Sequence, residues 1–310
     1  MKVLVTCPPM LGMIDEFRPV FEEKGIELDA PEIVQVMSED ELIKIMPQYD
    51  GWIIGDDPAT RNVFASGKAG NLKAAVKWGI GVDNVDFKAA KEFGIDIINT
   101  PDMFGDEVAD TAVAYLISLA RSLFWIDRSV REGGWPKPKG TSLKGKTVGL
   151  IGYGDIGRST ARRLLVSEMN IIAYDPAFQL NETDDGVCSS AWPNRLDECD
   201  FLVFTCSLND MNHHMLNRTT LDACKDGVYV INVARGPLIN EQDLINALIS
   251  GKVTAAALDV MEIEPLPMGS PLRGFEQCIF GSHNASNTID AVRAASAEAM
   301  SILFKYLKVK

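Results

Sequence analysis

A glycine-rich turn gives the clearest chemical signal in the sequence. The run Gly152-Tyr153-Gly154-Asp155-Ile156-Gly157 has the GxGxxG spacing, and the apolar, strand-like segment 147–151 precedes it. A helical pattern follows, and Asp175 comes directly after the next strand-like segment, 171–174. In such a strand–turn–helix the first glycine allows a tight turn, the second lets the backbone approach a pyrophosphate, and the third lets the helix pack on the strand. This arrangement predicts a dinucleotide-binding site.

The acid after the second strand indicates which dinucleotide is bound. A carboxylate at this position accepts hydrogen bonds from the adenosine ribose hydroxyls, and its charge repels a 2′-phosphate. The next residue is Pro176 rather than an arginine. We therefore predict NAD, not NADP, as the cofactor. The predicted contacts are the glycines of the turn and this acid, namely Gly152, Gly154, Gly157 and Asp175.

Reduction of a carbonyl by hydride transfer also needs a proton donor, and histidine is the usual one. The chain has three histidines. His213 and His214 lie in the polar stretch 207–217 and are interpreted as solvated surface residues. His283 follows the strand-like segment 278–280 and precedes the last helical pattern. We expect His283 to face a bound ligand.

Charged residues near other strand ends offer partners for such a histidine. The segment 257–265, ALDVMEIEP, contains three acids, and a carboxylate beside an imidazole orients the ring and stabilises its charged form. Arg235 follows the strand-like segment 228–233. A guanidinium there can hold a substrate carboxylate in a fork and touch the carbonyl oxygen. A structural ion pair is the alternative interpretation of Arg235.

Strand-like and helix-like runs alternate along almost the whole chain, which is typical of α/β folds with parallel sheets. One series fills about the first hundred residues, with helices predicted at 14–23, 39–45 and 86–93, and a second begins near Lys146. Between them, 106–125 reads as one helix that is apolar over most of its surface, and 289–307 reads as a closing helix with an apolar stripe. These last two helices are predicted to be buried crossovers between two domains.

We therefore predict an α/β fold of two doubly wound parallel-sheet domains, in which a Rossmann NAD-binding domain is inserted into a flavodoxin-like substrate domain. Residues 1–99 and 287–310 would form the substrate-binding domain, and residues 100–286 the NAD-binding domain. The ligand is expected in the cleft between the domains, at the C-terminal ends of the strands.

Composition argues against several other classes of protein. Forty-three acidic residues against 30 basic ones give a net charge of −13, which disfavours binding to nucleic acid or to an anionic membrane. The most apolar stretch, 111–126, is short and interrupted by Arg121, and the N-terminus reads as a strand rather than a signal peptide. Six scattered cysteines without a CxxC pair predict unpaired thiols, no metal site and a cytoplasmic location.

With these features the sequence resembles the D-isomer-specific 2-hydroxyacid dehydrogenases over essentially the whole chain. Within that family its sequence pattern is most similar to the phosphoglycerate-dehydrogenase-like branch. The glycine-rich turn with Asp175 is one of the segments that carry the resemblance. The others are WGIGVDNVD at 78–86, NTP at 99–101, NVARGPLIN at 232–240, ALDVMEIEP at 257–265 and SHNA at 282–285.

The resemblance implies a role for individual residues. Arg235 corresponds to the family's substrate-binding arginine, Glu264 to its catalytic glutamate and His283 to its acid–base residue. The implied further cofactor contacts are Asp155 and Ile156 in the glycine-rich turn, and Cys206, Val233, Ala234 and Asp259. The implied substrate contacts are Lys77, Gly79, Ile80, Gly81 and Arg235.

The resemblance also implies an NAD-dependent oxidoreductase that acts on the CH–OH group of a small 2-hydroxy acid, or in reverse on a 2-oxo acid, as a homodimer. A substrate like 3-phosphoglycerate or hydroxypyruvate is expected. Lys77 and Arg61 are two cations that either meet a second anionic group of the substrate or are plain surface charges. Both interpretations remain open on the sequence.

Two other functions are compatible with a dinucleotide site. One is an NADH-sensing binding scaffold without turnover, which would resemble the co-repressors built on this fold. The other is a formate dehydrogenase, in which a glutamine replaces the acid paired with the histidine, and Glu264 argues against it.

Overall fold

The computed structural model describes residues 1–101, 103–179, 183–184 and 186–309, and the chain divides into two units. The first unit consists of Met1–Phe104 and Asn287–Lys310, and the second is Gly105–Ser286. Both are α/β units built on mainly parallel sheets, so the predicted fold class is confirmed. The second unit is inserted into the first, after Phe104 where the sequence analysis expected a boundary after residue 99.

The first unit contains a five-stranded parallel sheet in the order β2-β1-β3-β4-β5. Its strands are β1 Lys2–Val5, β2 Glu27–Asp29, β3 Gly51–Ile54, β4 Ala74–Lys77 and β5 Asp96–Asn99. Of the three inner strands, β3 and β4 are buried along their whole length, as expected for parallel strands covered by helices on both faces. The strand order is that of flavodoxin-like sheets.

Six helices accompany this sheet. They are α1 Pro8–Leu11, α2 Ile14–Glu23, α3 Glu39–Ile45, α4 Arg61–Ala69, α5 Phe87–Glu92 and, from the far end of the chain, α11 Ile289–Tyr306. The helix α11 packs on β3 and β4 through the predicted apolar stripe, which includes the buried Val292, Ala295, Ala299 and Leu303. The first unit therefore depends on residues from both ends of the sequence.

The described residues of the second unit form an eight-stranded sheet in the order β13-β12-β11-β10-β6-β7-β9-β8, and among them β8 and β9 are the one antiparallel pair. Its strands are β6 Thr147–Ile151, β7 Asn170–Tyr174, β8 Thr183–Asp184, β9 Val187–Ser189, β10 Phe201–Phe204, β11 Val228–Asn232, β12 Val253–Leu258 and β13 Ile279–Phe280. Strands are added on one side of β6 as far as β9, and on its other side from β10 onward. The carboxyl ends of β6 and β10 therefore flank the switch point where doubly wound sheets bind ligands.

The described residues of the second unit form five α-helices. They are α6 Gly105–Arg121, α7 Leu123–Arg131, α8 Asp155–Val166, α9 Arg218–Ala223 and α10 Glu241–Ser250. The prediction of one helix from Asp106 to Trp125 is wrong, because Ser122 adopts a left-handed conformation with φ of 53° and interrupts the helical hydrogen bonds. Helices α6 and α7 meet there at a bend of 66°.

No single helix in the described ranges is long and apolar enough to cross a membrane. The helices α6 and α7 reach the required length and apolar character only when they are taken together across their bend.

Asp200 is a partly buried carboxylate that links residues next to the central strands of the second sheet. Asp200, just before β10, accepts a hydrogen bond from the Thr147 N–H at 3.0 Å and one from Lys225 Nζ at 2.7 Å. Burial raises the pKa of Asp200, but the bonds from Lys225 and Thr147 outweigh burial, and the pKa lies below its ordinary value of 3.8. A carboxyl with a lowered pKa stabilises the fold above its ordinary pKa and loses that contribution as the pH falls.

We expect Asp200→Asn to lower the free energy of unfolding by about 1 kcal/mol at pH 7. The difference should shrink below about pH 4, because protonation then removes the charge of Asp200 in the wild type as well. Urea unfolding at both pH values measures it. Asp226→Asn is the matched control, since that carboxylate is 92% exposed beside Lys252 and should change stability little. An equal loss at both pH values would contradict the ionic explanation.

Candidate active site

The glycine-rich turn lies at the carboxyl end of β6, beside the switch point. Gly152 has a φ of 99°, and a Cβ atom there would lie 2.6 Å from the Cys206 backbone nitrogen, so only glycine fits. Helix α8 begins at Asp155 with Gly154 as its N-cap residue and no side-chain cap. The space where a Cβ of Gly154 would project is open. These features suit a pyrophosphate, which accepts hydrogen bonds from the N–H groups at a helix N-terminus.

Asp175 is fixed at the end of β7, next to this turn. One carboxylate oxygen accepts a hydrogen bond from the Tyr153 N–H at 2.7 Å, and the other accepts one from the Ala177 N–H at 2.7 Å. The carboxylate is therefore attached to the glycine-rich turn itself. This arrangement suits the ribose diol of an adenosine and opposes a phosphate on it.

Asp175→Ala should lower the ratio of kcat/KM for NADH to kcat/KM for NADPH by about tenfold or more, because it removes the charge that repels the 2′-phosphate. Steady-state assays with both cofactors measure this ratio. Asp197→Ala replaces an exposed acid of the same unit and should leave the ratio unchanged. A ratio at the wild-type value in Asp175→Ala would remove Asp175 from cofactor discrimination.

The other predicted cofactor residues lie at the same edge of the sheet. Cys206 follows β10, and Val233 and Ala234 follow β11 and are buried. Burial raises the pKa of the Cys206 thiol to about 12, so that it is a neutral group beside the glycine-rich turn. Their contacts with the cofactor stay predictions.

His283 and Glu264 form a hydrogen-bonded pair. The Nδ1 atom of His283 lies 2.8 Å from Glu264 Oε2, and both side chains are about four-fifths buried. The second oxygen, Oε1, accepts a hydrogen bond from the Met261 N–H at 3.0 Å. Since a carboxylate only accepts, His283 donates from Nδ1, and its other ring nitrogen, Nε2, points away from Glu264.

Arg235 lies on the other side of the imidazole. Its Nη1 atom is 3.5 Å from His283 Nε2 and donates a hydrogen bond to the Ala234 carbonyl at 2.8 Å. Asn232, the buried last residue of β11, holds the turn, since its side chain donates to the Arg235 carbonyl and accepts from the Ala234 N–H. The structure thus brings together Arg235, His283 and Glu264, the three residues predicted to be catalytic.

Asp259 supports the segment that carries His283. Its backbone carbonyl accepts a hydrogen bond from the His283 N–H at 2.7 Å, and its buried carboxylate accepts bonds from the Ala285 N–H and the Tyr115 hydroxyl. Burial beside this carboxylate raises the pKa of Tyr115 well above its usual range, so Tyr115 is a neutral donor. The predicted contact of Asp259 with the nicotinamide stays a prediction.

The predicted substrate loop, residues 77–81, belongs to the first unit. Gly79 donates its N–H to the Thr100 hydroxyl at 2.8 Å, and Ile80 and Gly81 are partly exposed. The ammonium group of Lys77 is buried, where it bonds the Gly55 carbonyl at 2.6 Å and Asp56 at 3.0 Å. Lys77 is therefore not a surface charge.

Three residues of this site were not identified from sequence, or were interpreted differently. The predicted solvated position of His214 is wrong, because its ring is bound to Glu262. Asn232 carries a usable signal, since an Asn at a strand end often bonds the backbone two residues on. Tyr115 carries no such signal, because its sequence context is that of an ordinary residue in an apolar helix. Within the described part of the chain, no cluster of three or more His, Cys, Asp or Glu side chains suits a metal ion.

The doubly wound sheet, the glycine-rich turn and the Arg235–His283–Glu264 group define a dinucleotide-dependent oxidoreductase. Residues 113–285 match the model of the D-isomer specific 2-hydroxyacid dehydrogenase family, NAD binding domain. The chain belongs to this family, as the sequence predicts. It is an oxidoreductase that acts on the CH–OH group of donors, and NAD is its cofactor.

Individual relatives show how far the similarity extends. The chain is 37% identical over 278 residues to the hydroxypyruvate reductase of Thermotoga maritima, across 88% of this chain and 90% of that protein. It is 35% identical to a D-3-phosphoglycerate dehydrogenase of Archaeoglobus fulgidus, across 94% of this chain but only 54% of that protein. The crystal structure of the TT0316 protein from Thermus thermophilus superposes with a TM-score of 0.87 at 28% identity, covering 99% of this chain and 97% of that one.

Proposed function

We propose that this protein reversibly reduces a small 2-oxo acid to the D-2-hydroxy acid with NADH. The observation that carries the proposal is the Arg235–His283–Glu264 group, in which a histidine nitrogen held for proton exchange lies 3.5 Å from a guanidinium nitrogen. A proton donor beside a positive group is what the oxygen of a carbonyl needs as it gains negative charge.

Each side chain has a separate task in this reaction. Bound NADH supplies the hydride to C2 of the 2-oxo acid. Arg235 binds the substrate carboxylate and stabilises the charge on the carbonyl oxygen, since a guanidinium offers several donors in one plane. His283 gives the proton from Nε2 to this oxygen, which becomes the hydroxyl, and the imidazole is left neutral. Glu264 orients the ring and stabilises its charged form before the transfer.

The contacts of Lys77 and Arg61 in the first unit favour a substrate without a second anionic group. The Lys77 ammonium group is already bound to Asp56 and to the Gly55 carbonyl, and Arg61 forms an ion pair with Glu92 at 2.6 Å. A phosphate would have to compete with these partners for both cations. We therefore propose hydroxypyruvate or glyoxylate, rather than a phosphorylated 2-oxo acid, as the preferred kind of substrate.

A panel of 2-oxo acids tests the proposal. NADH oxidation is followed with hydroxypyruvate, glyoxylate, pyruvate, 2-oxoglutarate and 3-phosphohydroxypyruvate. We expect kcat/KM for hydroxypyruvate or glyoxylate to exceed that for 3-phosphohydroxypyruvate by about tenfold or more. A preference for the phosphorylated acid would overturn the substrate assignment. Tight NADH binding without oxidation by any acid would instead favour the binding scaffold.

We also propose that the chain forms a homodimer through α7 and the loop after it. Helix α7 has no buried residue, and exposed apolar side chains cluster here, with Phe124 45%, Val130 40% and Trp135 79% exposed. An apolar surface of this kind is typical of a subunit interface. Light scattering should give twice the mass of the chain, and Trp135→Asp with Phe124→Asp should give the single mass. A monomeric wild type would refute the dimer. The cytoplasmic location stays a prediction.

A further inference from the structure

A second histidine–carboxylate pair, His214 and Glu262, lies next to the turn that carries Arg235. The Nε2 atom of His214 is 2.6 Å from Glu262 Oε1, and about two-thirds of each side chain is buried. The same oxygen accepts a hydrogen bond from the Glu241 N–H at 3.2 Å, and the other ring nitrogen of His214 lies 3.4 Å from the Asn240 side-chain amide. The mechanism proposed above gives no task to either member of this pair.

The backbone around His214 is attached to the turn that carries Arg235. His214 donates its N–H to the Pro237 carbonyl at 2.7 Å, and Leu216 exchanges hydrogen bonds with Leu238 and Asn240. His214 adopts a left-handed conformation with φ of 52°, which a residue other than glycine holds only when its surroundings fix it. The loop after β10 is thus fastened along the residues that directly follow Arg235.

The opposite side of the same turn rests on the segment that carries Glu264. A Cβ atom on Gly236 would lie 1.9 Å from the Met261 carbonyl oxygen, so the two backbones are in direct contact. The Met261 N–H in turn binds Glu264, the carboxylate that holds His283. The turn after Arg235 is therefore enclosed between the His214 loop and the Met261–Glu264 segment.

We propose that His214 and Glu262 are positioning residues for the reaction. Their hydrogen-bonded contact closes the outer side of this enclosure by joining the His214 loop to the Met261–Glu264 segment across the turn of Arg235. It thereby holds the guanidinium and the Glu264 carboxylate at their distances from His283. This inference rests on the proposed function, because it assumes that Arg235 and Glu264 act on a 2-oxo acid.

The variants His214→Gln and Glu262→Gln test the pair. Each keeps a side chain that can form hydrogen bonds but removes the contact between an imidazole and a carboxylate. For the best 2-oxo acid of the panel we expect KM to rise and kcat to fall, so that kcat/KM decreases about tenfold or more, because small displacements of catalytic groups are costly. The dissociation constant of NADH, measured by fluorescence, should stay within about twofold, because the pair acts on Arg235 and Glu264.

A double variant and a neighbouring histidine provide the controls. His214→Gln/Glu262→Gln should lose no more kcat/KM than either single variant, because the two residues act as one unit. His213→Gln should match the wild type, since this exposed ring stacks on His214 at 3.9 Å but has no part in the pair. Loss of thermal stability with wild-type kcat and KM would overturn the positioning role, as would an equal loss of NADH binding. A wild type that reduces no 2-oxo acid would refute the proposed function and this inference with it.

Discussion

His283→Ala is expected to lower kcat for 2-oxo acid reduction about a hundredfold or more. The imidazole is held by Glu264 through Nδ1 and presents Nε2 beside Arg235, so its loss removes the group that gives a proton to the carbonyl oxygen. Single-turnover and steady-state assays with saturating NADH measure the effect. The dissociation constant of NADH should change by no more than about twofold, because the predicted cofactor contacts lie elsewhere.

His213→Ala is the matched control for this experiment. It also removes one imidazole from the second unit, but from an exposed position. We expect it to keep wild-type turnover. If His283→Ala also turned over at the wild-type rate, another group would have to supply the proton, and the assignment of His283 would fail.

Arg235→Gln should lower kcat/KM for the 2-oxo acid about a hundredfold or more, mainly through a higher KM. Glutamine keeps a planar, hydrogen-bonding end but has no charge to hold the substrate carboxylate or to stabilise the oxygen that gains charge. Arg235→Lys should recover only part of the loss, because an ammonium group lacks the two-pronged geometry of guanidinium. Initial rates over a range of 2-oxo acid concentrations measure both variants.

Arg218→Gln controls for the loss of a positive charge in the second unit. Its side chain is 85% exposed, and we expect wild-type kinetics. A kcat/KM for Arg235→Gln equal to that of this control would support the alternative that Arg235 forms only structural contacts.

Much of the fold could be predicted because its signals are local. Helix α2 and helix α3 begin and end where the sequence analysis placed them, and α3 starts at a capping box formed by Ser38 and Glu41. Helix α4 was missed, because it is only nine residues long and contains Gly67, and glycine has a low helix propensity. The short edge strand β2 was missed for a similar reason, since only three residues form it.

The break between α6 and α7 shows what a local pattern cannot reveal. Leu123 and Phe124 continue the apolar run of α6, and serine is no strong helix breaker. The left-handed conformation of Ser122 ends α6 all the same, and both apolar side chains are about half exposed. The apolar character of Leu123 and Phe124 predicts burial in a long α6, but both side chains lie on the surface of α7.

Some residues of the candidate site could likewise be predicted from the sequence, and others could not. His283 and Arg235 were found because each follows a strand and the carboxyl ends of parallel strands meet at one edge. Glu264 was one of three acids in the segment 257–265, and only the resemblance to the family singled it out. Tyr115, which bonds Asp259 from a distance of 144 residues along the chain, gives no local sign of this contact. His214 was misread because a polar loop usually faces solvent, whereas here the long-range contact with Glu262 decides its place.

The origin of α11 has a consequence for biosynthesis. The helix completes the first unit, yet its residues leave the ribosome only after the whole of Gly105–Ser286, which is one uninterrupted stretch. During translation the inserted unit can fold as soon as it emerges. Residues 1–104 still lack α11 at that stage, so β3 and β4 are not yet covered by it. Nascent chains stalled before Ile289 should therefore expose the earliest-made sheet to chaperones and proteases while the later-made one is already protected.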